Sequence, residues 1–308
     1  MRGSRAVRRW WTDLTDLVLP AECGGCGRER AVLCPRCRAA LSGVPPRRVR
    51  PDPAPPGLPA VHASAPYADE VRAALLAHKE RGVLALAAPL GAALAGAVRV
   101  GLRQIHAAVR DAGAGDAEAG DGRAVPARGP VLLVPVPSAR GAVRRRGHDP
   151  ARRIALAAAA ELRRTGTSAR VLTVLRQRYA VADQSGLDAR QRVDNLAGAL
   201  AVAPGGVGLL DGGAVVLVDD LMTTGASLSE AARAVRAAKA ATAESRAGPG
   251  TYGRARSAVY PAAAGEGREE RKTRPRTAGR YGGGDVIREA ICAAVVAASP
   301  NSFEINRN

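Results

Sequence analysis

The stretch Ala214-Val-Val-Leu-Val-Asp219-Asp220-Leu-Met-Thr223-Thr224-Gly225-Ala226-Ser227-Leu228 decides how the rest of the chain is read. Val215 to Val218 are apolar without interruption, as in a strand buried on both faces. Two adjacent aspartates close the run, and a short loop of small hydroxyl residues follows. From Ser227 to Ala238, strong helix formers and apolar residues recur at helical spacing. The predicted order is strand, acid pair, small-residue loop, helix. The loop amides and the helix N-terminus then point at one spot that favours an anion such as phosphate. Thr223, Thr224 and Ser227 add hydroxyl donors, and Gly225 lets the backbone approach closely. Asp219 and Asp220 suit a ligand with hydroxyls beside its phosphate, accepting from a ribose directly or through Mg²⁺ and its waters. A plain strand–helix turn with Asp near the N-cap explains one aspartate but fits two plus Thr-Thr-Gly-x-Ser poorly.

Upstream, Pro130-Val-Leu-Leu-Val-Pro-Val-Pro137 reads as a second buried strand, ending at a Pro-framed turn. Ligands of α/β proteins bind at the carboxyl ends of such strands. The loop that follows carries Ser138, Ala139, Arg140, Arg145 and Arg146, and it can clamp a pyrophosphate through charge-assisted hydrogen bonds. Alone, it reads as a solvated basic loop; paired with the 214–228 stretch, the pyrophosphate reading is the better one. Residues 150–164 are expected as a helix led by Pro150, and Val171–Arg176 as a strand. A polar stretch containing Gln184, Arg190 and Asn195 reads as a mobile loop closing over substrate, or as a surface helix. Leu196–Val202 is expected as a short strand returning to the sheet. Residues 240–290 show no periodicity and read as a loosely ordered insertion, before a final strand over Ile291–Ala298.

Toward the N-terminus, residues 10–22 have helical apolar spacing that includes Trp10 and Trp11. Cys23, Cys26, Cys34 and Cys37 follow as C-x2-C-x7-C-x2-C. Two such hooks suit one tetrahedral Zn²⁺ better than disulfides or a redox pair, and four thiolates leave no open position for catalysis. Residues 43–60 read as an extended Pro/Arg linker. Asp69–Lys79 reads as an amphipathic helix, 83–109 as a helical segment broken by Pro89 and glycines, and 111–129 as a polar loop.

Hydrophobic content of 46% is that of an ordinary globular protein, whereas 3% aromatics leave a core of Ala, Val and Leu. The net charge of +18 favours polyanionic partners. The sequence suggests neither a secretory signal nor a membrane span, so a cytoplasmic location is expected.

The acid pair with Thr-Thr-Gly-x-Ser resembles the phosphoribosyl-pyrophosphate (PRPP) signature of type I phosphoribosyltransferases. Joined to a four-cysteine module, it resembles the ComF family, specifically the ComFC-type members linked to DNA uptake in competence. Tyr67, Lys79-x-x-Gly82, Val134-Pro-Val-Pro137, Arg145-Arg-Gly147, Gln184, Leu187, Arg190 and Asn195 also match that family's pattern. One departure is Arg146-Gly-His-Asp-Pro150, where many relatives have Arg-Gly-Phe-Asn-Gln. The resemblance implies an α/β type I phosphoribosyltransferase fold, a twisted and mostly parallel sheet flanked by helices. It divides the chain into a helix and zinc module over 1–42, a linker over 43–60, a helical hood over 61–129 and a transferase domain over 130–308. It implies PRPP held by Asp219 to Ser227, including Ala226, with Mg²⁺, a structural Zn²⁺, and displacement at the anomeric carbon. It also implies a link to single-stranded DNA and the DNA-uptake machinery, and leaves room for a homo-oligomer or for a PRPP sensor without turnover.

Overall fold

The computed structural model describes residues 22–113, 129–179, 189–247 and 291–306. The expected helix at 10–22, Gln184 and Leu187, and most of the 111–129 and 240–290 stretches lie outside the described residues.

A run such as Val215–Val218 can satisfy its backbone and bury both faces only inside a covered sheet. The strand it forms, β7 (Ala214–Met222), lies in the interior of a six-stranded sheet. In chain order the strands of this sheet are β1 (Arg47–Val49), β2 (Ala60–Pro66), β3 (Val131–Pro135), β4 (Ala169–Val171), β7 and β8 (Ile291–Ala298). Their spatial order is β1-β2-β8-β7-β3-β4. Only β1 runs antiparallel to its neighbour. A separate antiparallel pair is formed by β5 (Leu175–Gln177) and β6 (Leu200–Val202).

The α-helices among the described residues are α1 (Pro35–Ser42), α2 (Asp69–Lys79), α3 (Ala87–Gly113), α4 (Arg140–Arg146), α5 (Pro150–Arg164), α6 (Ala189–Leu196), α7 (Gly206–Leu210) and α8 (Ala226–Ala247). Alternation along β7 divides the core. Val216 and Val218 pack with Leu90, Leu94 and Val98 of α3 and with Ile154, Ala158 and Leu162 of α5. Val215 and Leu217 pack with Leu228, Ala231 and Val235 of α8. The sheet is therefore covered on both faces, which explains why its central strands are apolar throughout.

Several expectations are corrected here. β7 does not stop at the acid pair but continues through Asp219 and Asp220 to Met222, paired with β8. The strand expected over Val171–Arg176 is split: β4 edges the main sheet, while β5 leaves it to pair with β6. Leu196–Val202 does not return to the main sheet, because Leu200–Val202 is taken up by that second pair. Residues 47–49, expected in a linker, form an edge strand, and 60–66 form a strand inside the sheet, between β1 and β8. Helix α8 runs on to Ala247, past the expected end at Ala238.

Helix α3 is continuous over 27 residues despite Pro89 and its glycines. Pro89 lies in the first turn, where its missing N–H costs no intrahelical bond. Gly91 and Gly101 are packing residues: a Cβ at Gly91 would stand 2.5 Å from the Ala157 Cβ of α5, and one at Gly101 would stand 3.0 Å from the His62 Nδ1 of β2. Leu84–Ala107 is long and apolar enough to cross a membrane by length and composition, contrary to the sequence reading. In this fold its Leu90, Leu94 and Val98 belong to the core described above.

Candidate functional site

Parallel strands bring their carboxyl ends to one edge of the sheet, where the acid pair of β7 and the segment after β3 lie. The Val136 N–H, just past β3, donates to the Val218 carbonyl at 2.9 Å, which sets the Ser138 segment beside the acid pair of β7. The Tyr67 N–H, just past β2, donates to Ala298 at 2.7 Å, and the Ser299 N–H donates to Met222 at 2.9 Å.

Beyond Met222 the chain turns sharply into α8. Gly225 makes this turn in the left-handed region, at φ +76°, and a Cβ there would stand 3.1 Å from the Leu58 side chain. The Pro-rich segment 51–59 also reaches α8 itself. Ser229 Oγ donates to the Pro56 carbonyl, and Arg236 donates to that of Gly57 at 2.7 Å. An open depression results, lined by Asp219 and by residues 221 to 228, which include Thr223, Thr224, Gly225, Ala226 and Ser227. It sits over the N-terminus of a 22-residue helix, where free amides and the helix dipole favour an anion.

The two aspartates are not equivalent. Asp219 lines the depression and also accepts the Asp220 N–H at 2.8 Å. Burial, then the neighbouring Asp220 charge, push the Asp219 carboxyl well above the usual carboxylate range, and Lys79 offsets part of this. Asp220 is turned inward, only 6% exposed, and forms an ion pair with Lys79 Nζ at 3.0 Å. The Asp220 charge, against the cost of burial, raises the Lys79 ammonium above its usual range. The sequence marked Lys79 as the basic end of an amphipathic helix and as part of the Lys79-x-x-Gly82 match. Nothing in its spacing pointed to Asp220 as a partner.

The basic stretch after β3 was expected as a loop and is instead the short helix α4, closed by Gly147 at φ +74°. Asp149 organises it. Its carboxylate accepts from Ser138 Oγ at 3.3 Å and caps α5 through the Arg152 N–H at 3.2 Å. His148 is buried, with Nε2 3.2 Å from the His78 carbonyl oxygen. The departure at His148-Asp149-Pro150 thus fixes the start of α5 and docks the segment on α2. Ala139 and Arg140 are exposed at the beginning of α4, and Arg140 donates to the Gln177 carbonyl at 3.5 Å. Arg145 is also exposed. Arg146 holds Glu80 in a two-pronged pair at 3.0 and 2.7 Å.

Of the expected flexible-loop residues, Arg190 is exposed and Asn195 half-buried, both on α6. The end of α6 packs on the start of α8, with Val193, Leu196, Ala199 and Ala226 in one apolar cluster. That contact places the helix next to the depression.

Away from the sheet edge, Cys23, Cys26, Cys34 and Cys37 bring their sulfurs within 4.8 Å of one another. The Cys34 N–H points at Cys23 Sγ at 3.3 Å, and the Gly27 N–H closes the first knuckle on the Cys23 carbonyl at 2.9 Å. Burial opposes ionisation of Cys23, but the amides of residues 26, 34 and 25 outweigh it and lower the thiol to about 6. Burial and the facing sulfurs push Cys37 up. Four soft sulfur donors in this arrangement are compatible with a structural zinc ion. The cluster belongs to the main core: Cys23, Cys34, Cys37, Leu33 and Leu41 pack with Val71 and Leu75 of α2 and with Leu86.

No protein-family model matches the chain, and comparison with curated proteins likewise finds no match.

Proposed function

We propose that the chain is a phosphoribosyltransferase-like protein of the ComF type that binds PRPP at the sheet edge. The observation that carries this reading is the continuous path from Asp219 of β7, through the Gly225 turn, to the N-terminus of α8. It juxtaposes a hydroxyl acceptor with an anion cradle, and a phosphorylated ribose needs both. The 5′-phosphate would take the amides and hydroxyls of Thr223, Thr224, Gly225, Ala226 and Ser227. Asp219 would accept from a ribose hydroxyl, with Asp220 supporting it from behind. Ser138 and the exposed Ala139 and Arg140 at the start of α4, with the exposed Arg145 in its last turn, would face the pyrophosphate. Arg190 and Asn195 would approach from α6, with Gln184 on the segment before it.

The reaction this supports is displacement at the anomeric carbon. The bond from C1 to the pyrophosphate oxygen breaks, a nitrogen nucleophile forms the new bond, and its proton passes to solvent or to pyrophosphate. Arginine side chains stabilise the charge that builds on the leaving group. Mg²⁺, arriving on the pyrophosphate, would supply further neutralisation. The zinc ion would be structural, holding residues 23–37 on α2. A second reading, a PRPP sensor that binds single-stranded DNA without turnover, draws on the net charge of +18 and the exposed Arg140, Arg144 and Arg145.

Pyrophosphate release separates the two. With PRPP, Mg²⁺ and a panel of free bases and amines, transferase activity predicts acceptor-dependent release that Asp219→Asn reduces by at least about a hundredfold. No release with any acceptor, together with DNA binding that falls steeply with salt, would favour the sensor.

A further inference from the structure

The acid pair carries a cation of its own. Lys79 is the last residue of α2, where a positive charge also complements the helix dipole. Its Nζ lies 3.0 Å from Asp220 Oδ2, and the Asp220 side chain is 8% exposed. The residues on either side hold it in place. The His78 carbonyl faces the ring of His148 at 3.2 Å, and Glu80 grips Arg146 through both carboxylate oxygens. His78, Lys79 and Glu80 thus clip the end of α2 to both halves of the site, the acid pair of β7 and the basic α4 segment. The charges acting on Lys79 are Asp220, at contact distance, then Asp219, with Arg146 opposing them.

This disagrees with an acid pair that chelates a metal ion. A divalent ion shared by Asp219 and Asp220 needs both carboxylates free, yet one is occupied by an ammonium and does not line the depression. We propose that Lys79 is a positioning residue that serves as the built-in counter-ion of Asp220 and keeps divalent cations off the acid pair, so that a metal ion enters the site only on the ligand's phosphates. The role given to the ligand rests on the PRPP reading above; the exclusion of free metal does not. Lys79 fixes the Asp220 side chain, and the Asp220 N–H donates to Asp219 Oδ1 at 2.8 Å.

Manganese alone tests this, in the zinc-loaded full chain, with bound Mn²⁺ followed by electron paramagnetic resonance. The wild type and Asp220→Asn should give the same Mn²⁺ binding curve up to ~1 mM, a weak-site concentration. Lys79→Met should gain a site at least about tenfold tighter, because a positive charge beside the carboxylates has gone. Adding Asp220→Asn to Lys79→Met should abolish that site. A wild-type site that Asp220→Asn removes would overturn the proposal, as would a folded Lys79→Met that gains none. If Lys79→Met does not fold, Lys79→Gln takes its place, and a wild-type site lost in Asp220→Asn still overturns the proposal. PRPP is absent throughout, so failure of the PRPP reading leaves this outcome unchanged, and the reverse.

Discussion

Replacing Cys37 by serine should strip the chain of zinc, from about one equivalent to near none, and lower its stability by at least about 3 kcal/mol. The magnitude follows from where the cluster sits. Cys37 is 1% exposed and belongs to the same core as Val71, Leu75 and Leu90, so losing the metal loosens more than a surface knuckle. A hydroxyl is a poor ligand for a soft site, and the three remaining sulfurs would face one another without a cation. In a chain of 308 residues the loss corresponds to a fall in Tm of about 5 °C or more. Metal analysis and a thermal melt check both parts. Cys292 of β8 is the control: it is buried outside the cluster, and Cys292→Ala should keep its zinc. Full zinc content and an unchanged Tm in Cys37→Ser would exclude Cys37 as a ligand and overturn this reading of the cluster.

The second large effect comes from a glycine. An alanine normally gains about 1 kcal/mol over glycine inside a helix. At Gly91 the sign should reverse, because the added Cβ would meet Ala157 Cβ at 2.5 Å and the Ala158 backbone nitrogen at 2.8 Å. The α3–α5 contact is backbone against backbone there, so neither side has a flexible atom to move aside. Gly91→Ala should therefore destabilise by about 1–3 kcal/mol and Gly91→Leu by more, read as denaturation midpoints. At Gly208 of α7 an added Cβ would meet nothing within 4 Å, and Gly208→Ala should be neutral or slightly stabilising. Equal behaviour at the two positions would contradict the close approach of α3 and α5.

The same glycines show where the sequence misleads. Reading Gly91 and Gly101 as breaks is sound for an exposed helix and fails for one whose glycines admit a neighbour. Strand β2 escaped notice for a related reason. Ala-Val-His-Ala-Ser-Ala-Pro lacks the β-branched run that marked β3, β7 and β8, and its polar members are paired inside the fold, His62 with Gln104 at 2.7 Å and Ser64 with the Ala93 carbonyl at 2.7 Å. Helices α2 and α5 were legible to their ends because amphipathic spacing and Pro150 mark them locally. At the candidate site, local pattern revealed the order of β7, turn and α8, since those residues are adjacent in sequence. It could not reveal that Asp220 turns to Lys79, nor that Arg146 is held by Glu80, because those partners are brought together only by the fold. The cysteine spacing foretold the cluster because each hook is a local turn.

The central claim, that the edge formed by Asp219 and the Thr223–Ser227 turn binds a phosphoribosyl pyrophosphate, is tested most directly by calorimetric titration with PRPP and Mg²⁺. The zinc-loaded wild type is compared with Asp219→Asn, which removes the carboxylate in the depression without stranding Lys79. The account predicts saturable binding at one site per chain, weakened at least about a hundredfold in the variant by loss of a charged hydrogen-bond acceptor. A folded wild type that gives no saturable heat, or a variant that binds as tightly, would contradict it.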